Sequence, residues 1–80
     1  MTLDDINAAE KVAEMRRIIG VKNDAALARA LGVMPPVISK IKHGKLSIGA
    51  GLIISLHEET GMSTKEIKAR LGLTQSKLRQ

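Results

Sequence analysis

Apolar residues recur along this chain at helical spacing, in five blocks separated by short breaks that contain glycine or polar residues. The first block runs from about Asp4 to Ile19, with Ala8, Val12, Met15 and Ile19 on one face and Gly20 after it. The second runs from about Asp24 to Leu31. Leu27, Ala28 and Leu31 form its apolar face, Asn23 is its candidate N-cap, and Gly32 follows the last apolar residue. The third runs from about Pro35 to His43 and carries Val37, Ile38 and Ile41, with Gly44 after it. The fourth starts after Ser47, a candidate N-cap, and ends near Thr60 before Gly61. Ser63-Thr64-Lys65-Glu66 reads as a capping box that opens the fifth, which ends near Leu71 before Gly72. The pattern predicts an all-α, compact bundle of about five helices over residues 1–72. Residues 73–80 are left as a C-terminal tail that either frays or joins a dimer contact.

The break between the second and third blocks is the most informative. Only Gly32-Val33-Met34 separates them, and no acidic residue lies between Asp24 and Glu58. Arg29, Lys40, Lys42 and Lys45 all fall in that acid-free stretch. Ala28 is small where a second helix must cross closely, and Val33 can plug the angle between the two. A helix, a tight turn and a second helix bearing lysines but no acids suit insertion into the major groove of DNA. The other reading is a helical hairpin whose glycine and apolar residues serve packing alone.

Composition narrows the partner. Eighty residues make one small domain, near the size where a single core is just sufficient. There is no cysteine, so neither a disulfide nor a thiolate metal site can reinforce it. There is no aromatic residue, which removes the stacking platforms used by single-strand and RNA binders and favours duplex DNA. A net charge of +5 fits a polyanionic partner, although ribosomal and membrane-surface proteins share that signature. The charge is unevenly placed: residues 1–15 carry −3, residues 16–45 carry +6, residues 46–64 carry −2 and residues 65–80 carry +4. The basic block coincides with the helix–turn–helix pattern, as a phosphate-contacting face requires. No apolar run, Leu52-Ile53-Ile54 included, is long enough to span a membrane, and Met1 leads into polar residues. A cytoplasmic protein without membrane association is the expectation.

Leu27-Ala28, Gly32-Val33, Ile38-Ser39 and Gly44 fall at the offsets of a known motif. On these residues the chain resembles the helix-turn-helix of the phage repressor and Cro family, the lambda-repressor-like (XRE-type) domains. The likeness extends more weakly to Leu52, Leu56, Gly61, Met62 and Ile67, and so covers about residues 12 to 72. It implies that exposed residues in the first turns of the third helix reach base edges, which here are Pro35, Pro36, Val37 and Lys40. Pro36 departs from the family pattern, because it stands where many relatives have a hydrogen-bonding side chain. Proline is tolerated in a first helical turn but cannot hydrogen-bond a base from its side chain. Readout is therefore expected to lean on Lys40, which can donate to guanine O6 and N7, with Val37 and Pro36 against thymine methyls. Lys40 could instead contact phosphate or only water. Ser39 could donate to a base or a phosphate, or bond back to its own helix. Met34 sits where a Ser or Thr cap is usual, so this helix start is weakly capped.

The same resemblance assigns phosphate contacts. Asn23 matches a phosphate-binding position, and that role is compatible with its being the N-cap. Asp24 stands where glutamine is frequent and would repel phosphate unless it turns inward; it also suits the helix dipole. Lys42, His43, Gly44 and Lys45 form the loop after the third helix, and Lys45 is the leading phosphate ligand. Relatives often pair a glutamate at position 42 with a first-helix arginine equivalent to Arg17. Here both are cationic, so they splay apart or both face the phosphate backbone.

Other chemistry is poorly supported by the residues. Gly49-Ala50-Gly51 lacks the strand and the Gly-Lys-Ser/Thr ending of a nucleotide loop; close packing or N–H groups facing phosphate explain it better. His57-Glu58 matches the opening of a zinc-protease motif, but Gly61 stands where the second histidine must be. No metal site, cofactor or catalysis is expected. Met15 and Met62 read as core fillers. One such domain reads few bases, so a homodimer on a palindromic operator is expected, with Ile54, Leu73 and Leu78 as candidate interface residues. The expected function is a sequence-specific transcriptional regulator, a repressor of the Cro type. The alternative is a helical protein-interaction module, or an antitoxin, whose main role is to bind a protein partner.

Overall fold

Val12 and Met15, three residues apart, are both fully buried, and they set the inward stripe of the first helix. Ala8 and Ile19 flank that stripe and are half-buried. In the computed structural model, which describes residues 3–73, this helix is α1 (Leu3–Ile19). It is followed by α2 (Asp24–Leu31), α3 (Pro35–Lys42), α4 (Ala50–Thr60) and α5 (Thr64–Arg70). No strand occurs among the described residues, and the protein is an all-α bundle. No helix among them is long and apolar enough to cross a membrane.

Each helix contributes to one core. Leu27, Ala28 and Leu31 enter from α2, Ile38 and Ile41 from α3, Ile53 and Leu56 from α4, and Ile67 from α5. No polar or charged side chain is buried among the described residues. The core is therefore held by apolar burial alone, at about 25 cal/mol per Å² of apolar surface removed from water. Helix α1 packs against α2, α3 and α4, while α5 packs on α4. Ala28 is fully buried, consistent with a small residue where helices approach closely.

The helix ends follow two rules. At the starts, Asn23 Oδ1 accepts from Ala26 N at 2.8 Å, and Ser63 Oγ accepts from Glu66 N at 3.1 Å. Met34 supplies no side-chain cap to α3, but Pro35 and Pro36 occupy its first turn, where a missing N–H leaves no donor unsatisfied. The start of α4 differs from expectation. Its N-cap is Gly49, not Ser47, and no side chain caps it.

At the ends of α1, α2, α3 and α5, a glycine is followed by a residue whose N–H turns back to a carbonyl five residues earlier. These bonds are Val21 N to Arg16 O at 3.0 Å, Val33 N to Ala28 O at 3.0 Å, Lys45 N to Lys40 O at 2.8 Å and Leu73 N to Lys68 O at 2.8 Å. Gly32 and Gly44 adopt φ of 71° and 74° to make this possible, a region that strains any residue with a Cβ. Val21, Val33 and Leu73 pack against the core, as the residue after such a cap commonly does. Lys45 is the exception. The same backbone turn leaves it exposed.

Candidate nucleic-acid interface

The inward face of α3 is fixed by Ile38 and Ile41, with Val37 half-buried beside them. Exposed Pro35 opens the helix, and on its outer side stand Pro36, Ser39, Lys40 and His43, all exposed. Their spacing of i, i+3, i+4 and i+7 places them on one side of the helix. None of them is acidic. This face is presented by the turn Gly32-Val33-Met34, which joins α3 to α2 while Val33 packs on the core. Four sequence candidates are thus brought together, with Lys45 just beyond the end of α3. Val37 is the member whose surroundings are mixed: its packing against the core leaves less of it to offer a ligand.

The cations of the basic block have different surroundings. Lys40 and Lys45 form no ion pair among the described residues and are exposed. Lys42 does not stand free beside them, because its Nζ donates to Asp24 Oδ2 at 3.2 Å. Arg16 Nη1 donates to the other carboxylate oxygen of Asp24. One carboxylate at the start of α2 therefore ties α1 and α3 to it. Partial burial pushes the Asp24 carboxyl up, but the hydrogen bonds and charges of Arg16 and Lys42 outweigh this and hold it below its ordinary value. Asp24 faces two cations rather than standing open to repel phosphate.

Arg17 is placed elsewhere. Its Nε donates to Glu14 Oε1 at 2.9 Å, and Glu10 lies 3.9 Å from its guanidinium. Glu14 also faces Arg70 of α5 at 3.8 Å. Of the two arrangements expected for Arg17 and Lys42, the structure has them splayed apart, and the neighbouring Arg16 is the arginine that meets Lys42 at a common carboxylate. Helical geometry carried that signal. At about 100° per residue, position 16 lies some 40° from buried Val12, while position 17 lies about 140° from it.

The remaining candidates separate as follows. Asn23 is exposed, with its side-chain oxygen committed to capping α2, which leaves its amide donors facing out. His43 is the exposed C-cap of α3. Gly49 and Gly51 have open space where a Cβ would stand, so close packing is not the reason for either glycine. Ile54 is 50% exposed on α4. Leu73 is half-buried against the core, and Leu78 lies outside the described residues. Among the described residues, no three His, Cys, Asp or Glu side chains are grouped so as to hold a metal ion.

No protein-family model matches this chain, and no curated protein or solved structure matches it.

Proposed function

We propose that this protein is a sequence-specific, double-stranded DNA-binding regulator that lays α3 in the major groove. The observation that carries the reading is the outer face of α3. Pro36, Ser39, Lys40 and His43 are exposed together without an acidic neighbour on that helix, and unpaired Lys45 extends the face. An exposed, acid-free helix face beside a tight turn has the shape and charge that a groove lined by phosphates admits. The resemblance to the lambda-repressor-like domains, drawn from Leu27-Ala28, Gly32-Val33, Ile38-Ser39 and Gly44, supports the same reading. Lys40 is the base-reading donor, Ser39 assists it, and Pro36 offers apolar contact. Lys45, His43 and the outward amide of Asn23 meet phosphate.

A symmetric dimer on DNA completes the reading. Ile54 lies half-exposed on α4, with Ala50 and Gly51 one turn before it and also exposed. Such a patch is small and apolar enough to pair with its own copy, whereas Leu73 already has partners in the core. Half-sites would then lie about 34–36 Å apart. A second copy bound through Ile54 is preferred to a toxin-like protein partner because the basic α3 face remains unexplained by the latter.

The direct experiment is a fluorescence-anisotropy titration with duplex DNA taken from upstream of its own gene, over a salt series. Saturable binding that is tighter than to shuffled duplex and weakens steeply with salt is expected. Absence of salt-dependent binding to any duplex would overturn the reading. Sedimentation of Ile54→Asp beside the parent on the same DNA tests the dimer, which this substitution should convert to single-copy binding.

A further inference from the structure

Asp24 is the only carboxylate between residues 15 and 57. Of the seven cations at 16–45, Arg17 faces Glu14 and Glu10, while Arg16 and Lys42 meet at Asp24. Its two oxygens are divided between two helices: Oδ1 accepts from Arg16 Nη1 of α1, and Oδ2 accepts from Lys42 Nζ of α3 at 3.2 Å. The cluster lies at the surface, with side-chain exposures of 28% for Arg16, 32% for Asp24 and 42% for Lys42. Lys42 is the outermost of the three. A lysine ammonium is a point charge on a flexible stem, able to swing to another anion where a planar guanidinium holds a fixed geometry. Lys42 also belongs to the last turn of α3, next to the loop that carries exposed Lys45. Without Asp24, this end of α3 would present a second mobile cation to a phosphate backbone.

We propose that Asp24 is a positioning residue that holds Lys42 back from phosphate and so limits the sequence-independent affinity of the protein for DNA. This rests on the DNA-binding reading above. Each phosphate neutralised by a cation steepens the fall of log K with log salt by about 0.9 on duplex DNA, whatever the base sequence. A cation held by an internal carboxylate releases no counterion on binding and adds nothing to that slope. The restraint matters because arbitrary DNA greatly outnumbers any specific site, so one surplus phosphate contact favours the wrong sites as a class.

The test uses the full chain and a 20-base-pair duplex of arbitrary sequence, titrated from low to high salt. The variants are Asp24→Asn, Lys42→Ala and the double substitution, with unfolding temperatures measured alongside. Asp24→Asn should steepen the salt slope by about 0.9, which corresponds to about eightfold tighter binding at 0.1 M salt if the two proteins bind alike at 1 M. Lys42→Ala alone should leave the slope where the parent has it, and the double variant should return to the parent slope. A slope unchanged by Asp24→Asn, or one made shallower by a full contact in Lys42→Ala alone, would overturn the proposal. The second outcome would mean that Lys42 already touches phosphate. Because Lys42→Ala leaves the Arg16–Asp24 pair in place, that arm can still overturn the proposal even if Asp24→Asn fails to fold. Failure of the parent to bind duplex DNA at all would instead remove the reading on which the proposal stands.

Discussion

Two flanks of the molecule carry cations but present them differently. On the α1–α5 flank, Arg17 and Arg70 share Glu14, and Glu10 stands near Arg17. On the α3 flank, Lys40 and Lys45 have no acidic partner among the described residues, and only Lys42 is tied to a carboxylate. Formal charge is thus a poor guide to interaction charge. An arginine already facing two glutamates gains little from a phosphate, because it must exchange one anion for another, whereas an unpaired lysine exchanges only water and counterions. One flank thus holds exposed ion pairs, each contributing little to stability, and the other presents unpaired lysines, which the proposed function turns toward a polyanion.

The largest way to break this contrast is to loosen the helix that presents the basic face. Ile38 is fully buried under α3, and Ile38→Ala should cost about 2–5 kcal/mol, read by chemical denaturation followed by circular dichroism. Arg70→Ala on the opposite flank should leave stability within about 0.5 kcal/mol, since its ion pair is exposed and long. An equal loss in both variants would show that the two flanks are not anchored differently.

Reading of bases sharpens the contrast next. Lys40→Ala should weaken binding to the specific site by about 1–3 kcal/mol and binding to shuffled duplex far less. A parallel fall on both duplexes would make Lys40 a phosphate contact. Lys45→Ala should weaken binding to all sequences alike and make the salt slope shallower by about 0.9, while Arg17→Ala should leave the slope unchanged. If Arg17→Ala lowered the slope as Lys45→Ala does, the ion pairs of the α1–α5 flank would not shield their cations.

The smallest effect is an acid one. The Asp24 carboxyl titrates below its ordinary value of 3.8 in the folded protein, so the unfolded chain takes up the proton first as pH falls. Its contribution to stability is fully present above about pH 4 and declines as the pH drops from there through the lower folded value. Thermal unfolding followed across this range should show a loss that is reduced in Asp24→Asn. Partial exposure keeps that loss modest.

Much of this architecture was legible in the chain because helix formation is governed by local rules. The spacing of Leu27, Ala28 and Leu31, the cap at Asn23, and the left-handed glycines at 32 and 44 each depend on residues within a few positions of one another. The five helices and the apolar faces that build the core follow from the same rules. The start of α4 was less legible: Ser47 is a good cap by residue type, yet the helix begins after Gly49. Residue preference alone does not decide which turn first satisfies the packing of Ile53 and Leu56.

What the sequence could not determine was the pairing of charges between helices. Helical phase turns Arg16 inward, and Arg17 meets Glu14 at the local i,i+3 spacing, but only the packing of α1 against α2 and α3 brings Asp24 to Arg16. Lys42 and Asp24 are 18 residues apart, and no local rule joins them. Lys45 occupies the same turn position as Val21, Val33 and Leu73, and its exposure follows from a polar side chain at a place where the other three find the core. Helical propensity and apolar periodicity act over a few residues and are written in the chain. Electrostatic pairing acts between side chains distant in sequence, so the fold had to place them before their partners were decided.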